Sequence, residues 1–153
     1  MATAAQVQQL YITYFGRPAD VSGQSYWTND AVTPLATIAN GFATTSEYSS
    51  STAGLTLDQI VNNFYVRLFG RQGEPAGIRF WVNQIQLGNT TTQAVGLAIG
   101  NAAQTTDLVA RDAKITASAQ WTTETGLSTN ALLAYSGNAG IQSGVAYLQP
   151  VTT

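Results

Sequence analysis

Residues 7–17 read VQQLYITYFGR and residues 61–71 read VNNFYVRLFGR, a repeat at a spacing of 54 residues. The register continues past the motif. Gly16-Arg17 aligns with Gly70-Arg71, Asp20 with Glu74, Gly23 with Gly77, Tyr26 with Phe80, and Trp27 with Trp81. An internal repeat of this length fixes the unit of architecture before any other reading. In the first copy Val7, Leu10, Tyr11 and Tyr14 recur at helical spacing; in the second, Ile60, Val61, Phe64 and Leu68 do so. That period belongs to an amphipathic helix and not to a strand.

Each helix carries its own punctuation. Thr3 with Gln6 and Thr56 with Gln59 match a capping box, in which a hydroxyl and a side-chain amide satisfy the exposed N–H groups at the helix start. Gly16 and Gly70 stand where a left-handed residue would end the helix. Asp20 can cap the next helix, and Pro75 suits the first position of its counterpart. A third helix of unit one is expected from Thr33-Pro34 to about Glu47, with its equivalent in unit two starting at Thr90 and Gln93. Ser49 to Gly54 reads as a polar loop between the units. Beyond the repeat, helices are expected over Leu108–Thr123, Ala131–Tyr135 and Gly144–Gln149, with a frayed end at Pro150–Thr153. The expected fold is all-α: a multi-helix bundle over residues 1–153. It comprises unit one at about 3–50, unit two at about 56–106 and C-terminal helices at about 107–149.

Composition narrows the chemistry. Charged residues make up 9% of the chain, against about 25% in ordinary domains. Thr and Ser fill the gap, so the surface is expected to be polar and nearly uncharged. Net charge is −2 and Lys114 is the single lysine, so no basic stripe can neutralise a phosphate backbone and nucleic acid is not an expected partner. Without Cys or His there is no thiolate nucleophile, no imidazole base and no Cys/His zinc site. No apolar run approaches a membrane span, and residues 1–15 lack the basic and apolar regions of a signal peptide. The expectation is a protein without enzymatic activity and without a cofactor.

The residues that could carry chemistry each have a structural reading beside the functional one. Arg17 with Asp20 and Arg71 with Glu74 read first as local turn ion pairs that also cap a helix, the kind of pair that contributes only about 0–1 kcal/mol. The functional reading has the arginines meeting sugar hydroxyls or anionic groups. Asp20 and Glu74 could also be paired as the two carboxylates of a glycoside hydrolase, although nothing in the sequence brings them together. Tyr26-Trp27 and Phe80-Trp81, beside Gly23 and Gly77, read first as core; the alternative is that one member of each pair is exposed and stacks on a sugar ring. Asp107, Asp112 and Glu124 fit no calcium-loop spacing.

The run Tyr14-Phe15-Gly16-Arg17-Pro18-Ala19-Asp20, then Gly23, Tyr26-Trp27, Gly41-Phe42 and Ser46-Glu47-Tyr48, resembles an uncharacterised helical domain family. Its members read YxxxxGRxAD…G…YW…FxxSxE(Y/F). The family is common in large bacterial proteins secreted by type I systems, including RTX (calcium-repeat) and S-layer proteins. The resemblance covers about residues 4–120 and is close in unit one. Unit two departs at Arg71-Gln72-Gly73-Glu74 and at Asn101-Ala102-Ala103-Gln104, which points to a structural second copy. The resemblance implies an N-terminal module that anchors an S-layer protein at the cell surface by holding the O-antigen polysaccharide of outer-membrane lipopolysaccharide. Secretion would use a C-terminal signal, and calcium would belong to the longer protein. The expected partners are O-antigen and S-layer subunits. The expected glycan-binding residues are Arg17, Asp20, Tyr26, Trp27, Arg71 and Trp81. The helical repeat is also similar to phycobilisome-linker-type domains, which keeps a protein assembly module as the alternative.

Overall fold

Both capping boxes form as expected. In a computed structural model of residues 1–153, the Thr3 hydroxyl accepts from the Gln6 N–H at 3.2 Å while the Gln6 amide oxygen accepts from the Thr3 N–H at 2.9 Å. Thr56 and Gln59 repeat the arrangement at 3.3 and 2.9 Å. Helix α1 (Ala4–Phe15) and helix α5 (Leu57–Phe69) follow from these caps. Each ends at its glycine in the left-handed region, Gly16 at φ +66° and Gly70 at φ +69°, where a Cβ would be strained. The short turn after each glycine leads into α2 (Val21–Asn29) and α6 (Pro75–Gln86). Asp20 caps α2 by accepting from the Gly23 N–H at 2.6 Å, and Pro75 takes the first position of α6. Glu74 occupies the matching cap position but makes no side-chain cap bond.

The fold is all-α, with ten helices and no strand. The remaining helices are α3 (Leu35–Ala43), α4 (Ser46–Thr52), α7 (Val95–Asn101), α8 (Thr105–Gly126), α9 (Thr129–Ala134) and α10 (Asn138–Leu148). Four expectations need correction. The single third helix of unit one is two, because the Thr44 and Thr45 hydroxyls turn back onto the Gly41 and Phe42 carbonyls and Thr45 then caps α4. The expected polar loop is therefore mostly helix; Ser51 and Thr52 give their hydroxyls to the Tyr48 carbonyl one turn back, so their hydrogen bonding does not compete with the helix. In unit two the turn before α7 is closed by the Thr91 hydroxyl on the Ala94 N–H, and the helix itself starts at Val95 rather than at Thr90. Helix α8 begins at Thr105 and runs unbroken across residue 106, so unit two and the C-terminal helices share one continuous element.

Helix α1 lies at the centre. It packs against α2, α3, α4, α5, α7 and α8, and every residue from Val7 to Tyr14 is buried. The sequence predicts one apolar face; the helix instead is buried all round, and it carries no charged residue. Its polar side chains are matched inside. The Gln8 amide donates to Thr122 Oγ1 at 2.8 Å and to Gln24 Oε1, Gln9 donates to Asn101 Oδ1 at 3.2 Å, and the Thr13 hydroxyl donates to the Gln9 carbonyl at 2.6 Å. Burial without such partners would cost about 1–3 kcal/mol per group. An aromatic cluster of Tyr11, Tyr14, Phe42, Tyr48 and Phe64, meeting mostly edge to face, fills the space between α1, α3, α4 and α5.

Candidate functional site

The repeated turn after α1 and α5 is built from the same parts twice. Arg17 lies over the Tyr11 ring at 5.2 Å and Arg71 over the Tyr65 ring at 5.3 Å. Each guanidinium grips a carboxylate at the start of a later helix with two parallel bonds. Arg17 holds Glu47 of α4 at 2.7 and 3.0 Å; Arg71 holds Asp107 of α8 at 2.8 and 2.7 Å. A further N–H of each closes onto the next carbonyl, Pro18 at 3.1 Å and Gln72 at 2.9 Å. A side-chain amide two residues into each motif pins the same turn. Gln8 accepts from the Ala19 N–H at 3.0 Å and Asn62 accepts from the Gly73 N–H at 2.8 Å.

Asp20 and Glu74 are the secondary partners of these arginines, at 3.8 and 3.0 Å. The main partners, Glu47 and Asp107, were not expected. Glu47 belongs to the Ser46-Glu47-Tyr48 stretch that carries the family likeness, which was a usable signal. Asp107 is hidden because it follows its arginine by 36 residues where Glu47 follows by 30, so the repeat register does not align them. With Asp107 on Arg71 and Asp112 on Arg111 at 2.7 Å, no three acidic groups converge as a metal site.

The two copies differ in what lies over them. Tyr135, at the end of α9, gives its hydroxyl to the Pro18 carbonyl at 2.6 Å, receives Arg17 Nη1 at 3.4 Å, and places its ring 5.7 Å from the guanidinium. The Arg17 side chain is left 7% exposed, whereas Arg71 is 35% exposed with nothing in Tyr135's place. Burial works against the charge of Arg17, but Glu47 and Tyr135 outweigh it and hold its pKa above the ordinary arginine value. For Arg71 the bonds to Asp107 dominate and act in the same direction.

The six expected glycan-binding residues are not gathered into one place. Arg17 and Asp20 line a cleft of about 680 Å³ with Ser22, Ser25, Thr125 and Ser136, but Arg17 is spent on its ion pair. Glu74 does not line that cleft, so Asp20 has no second carboxylate from the other copy there. Trp27 and Trp81 are half-buried against the core, and the exposed members of the aromatic pairs are Tyr26 at 65% and Phe80 at 53%.

A larger cleft of about 750 Å³ opens between the end of α1 and helices α4, α5, α8 and α10. Ser46, Ser50, Ser51, Asn138, Gln142 and Gln149 line it with hydroxyls and amides. Arg67 lines the same space, and Lys114 lies at its wall, 1% exposed. Sequence reasoning missed both, because Arg67 replaces the Thr13 of the first copy and so breaks the repeat.

Residues 39–109 match the family Domain of unknown function (DUF4214). That stretch runs from the second half of α3 into the first turn of α8 and so encloses the whole second turn, with Arg71, Glu74 and Asp107. It is narrower than the expected likeness over 4–120 and centred on the other unit. No curated protein matches the chain, and no solved structure does.

Proposed function

We propose that the chain is a non-catalytic anchoring module of a secreted S-layer protein of the type I, RTX-related kind, holding the O-antigen polysaccharide of outer-membrane lipopolysaccharide at the cell surface. The observation that carries this reading is the cleft of about 750 Å³, whose walls combine serine, asparagine and glutamine side chains with the apolar surface of Phe15, Val66, Ile141, Val145 and Leu148. Its size is that of a small-ligand site, its hydroxyls and amides can both donate and accept, and its apolar side chains suit the apolar face of a sugar ring. The near-absence of free surface charge, at 9% charged residues, suits a polysaccharide better than a nucleic acid. Single sugars in such a cleft bind weakly, and a lattice of modules on a repeating polymer raises the affinity by avidity.

The experiment is co-sedimentation of the purified chain with outer membranes that carry full-length lipopolysaccharide, beside membranes lacking O-antigen. Pelleting with the first alone is the expected result. Equal pelleting with both, or with neither, would remove the anchor reading. The assembly-module reading draws on the solvent-facing Phe80 of α6 and Leu87, the residue that caps its C-terminal end, which are 53% and 72% exposed. Self-association that F80S abolishes would favour it.

A further inference from the structure

We propose that the cleft between α1, α4, α5, α8 and α10 receives an anionic saccharide, with the carboxylate or phosphate of the sugar lying against Arg67 and within the field of the buried Lys114 ammonium. The inference rests on reading this cleft as a glycan site and adds which sugars it selects. It starts from how the chain distributes its few cations. Arg17, Arg71 and Arg111 each hold a carboxylate at 2.7 Å. Arg67 and Lys114 make no ion pair, and both line this one cleft.

Each is held in place by neutral oxygens. Arg67 donates Nη1 to the Tyr14 carbonyl at 3.0 Å and Nη2 to Ser51 Oγ at 3.2 Å, which leaves three of its five N–H groups for a ligand. Lys114 is 1% exposed and donates to the Leu148 and Gln149 carbonyls at the end of α10. Those carbonyls stand at the negative end of a helix, where the partial charge is only about half a unit, so the ammonium keeps a net positive field. The single acidic side chain in the lining is Glu47, and both its oxygens are taken by Arg17. The cleft therefore holds two cations with no carboxylate of the protein bonded to either. Buried charge of this kind is costly to keep unless something completes it. Consistent with that cost, burial lowers the pKa of Arg67 and brings that of Lys114 down to about 8. An anionic group entering the cleft would restore the lost solvation, and the planar fork of Arg67 matches a carboxylate or a phosphate. A neutral sugar would gain hydrogen bonds only.

The test is a titration of the isotope-labelled full chain followed by amide shifts, with methyl glucoside, methyl glucuronide and glucose 6-phosphate as probes at low and high salt. The expected result is saturation by the charged sugars at concentrations about tenfold below methyl glucoside, a gap of about 1.4 kcal/mol. The shifts should centre on Ser51, Arg67 and Asn138, and the gap should narrow at high salt. Comparing glucuronide with the phosphate sugar decides which anion the cleft prefers. R67Q should erase the preference, while R79Q, on α6 and outside this lining, should keep it. Equal affinity for the three sugars would overturn the anionic selectivity and leave the glycan reading standing. Shifts from none of them would overturn both. Because the wild-type map alone locates the site, shifts centred elsewhere would overturn the assignment even if R67Q fails to fold.

Discussion

The turn at Arg17 and the turn at Arg71 share their stacked tyrosine, their bidentate carboxylate, their carbonyl contact and their pinning amide. They differ in what surrounds them. The first sits at the end of a helix buried on all sides and is sealed by Tyr135, while the second ends a helix with one buried face and meets solvent. The repeated motif is thus a folding device that fixes how a helix ends and where the next begins. Its energetic weight is set by residues outside the motif. Sequence composition marks the distinction: α1 has no charged residue, whereas α5 carries Asp58 and Arg67.

The largest expected effect separates the two arginines. Arg17→Ala leaves Glu47 without its partner in a half-buried position and empties the space under Tyr135, so a loss of about 3–5 kcal/mol is expected. Arg71→Ala removes a pair that is a third exposed, where solvent already screens the charges, and about 1 kcal/mol is expected. Urea unfolding of both variants, with unchanged slopes, measures the difference. Equal losses would show that the cover over the first turn contributes nothing.

Much of this was legible in the chain. The capping boxes, the terminal glycines, Asp20 and Pro75 are local signals, and each falls where its chemistry requires. What escaped depends on contacts distant in sequence. Glu47 and Asp107 are brought in by helices whose connections differ in length, so no fixed spacing reveals them. Tyr135 acts on Pro18 from 117 residues away. Gln8 and Thr122 read as surface residues by type, and only their mutual bond inside the fold makes them core. The Thr44-Thr45 break was hidden because a threonine hydroxyl can end one helix and begin another with almost no local signature. Of the candidate site, Arg17 and Asp20 were named from their motif, and the structure sets both at the smaller cleft; the two cations of the larger cleft, Arg67 and Lys114, follow no motif.

Glycine substitutions sharpen the comparison at smaller cost. A Cβ added at Gly23 would overlap Tyr11 Oη and stand 2.8 Å from Asp20 Oδ1; one added at Gly77 would stand 2.8 Å from Tyr65 Oη. Tyr11 is wedged between Phe42 and Arg17 and has little room to retreat. Gly23→Ala is therefore expected to cost about 2–3 kcal/mol. In the open copy Tyr65 needs a smaller shift, and about 1 kcal/mol is expected for Gly77→Ala. Thermal unfolding of the two variants measures this. A larger loss at Gly77 would mean that the second turn is the more rigid one.

The smallest effect isolates the cover itself. Tyr135→Phe keeps the ring against Trp121, with centroids 5.5 Å apart, and removes only the hydroxyl that bonds Pro18 and Arg17. The Pro18 carbonyl loses one donor but keeps Arg17 at 3.1 Å, so the cost should be about 1 kcal/mol. The decisive quantity is the coupling. Combined with Arg17→Ala in a double-mutant cycle, Tyr135→Phe should show an interaction of about 0.5–1 kcal/mol, because the hydroxyl and the guanidinium share a bond. Combined with Arg71→Ala it should be additive, since no bond joins Tyr135 to the second turn. Coupling to both arginines would mean that the turns communicate through α8, which packs against α1, α5 and α9 alike, and the two copies would then be one cooperative device rather than a sealed turn and an open one.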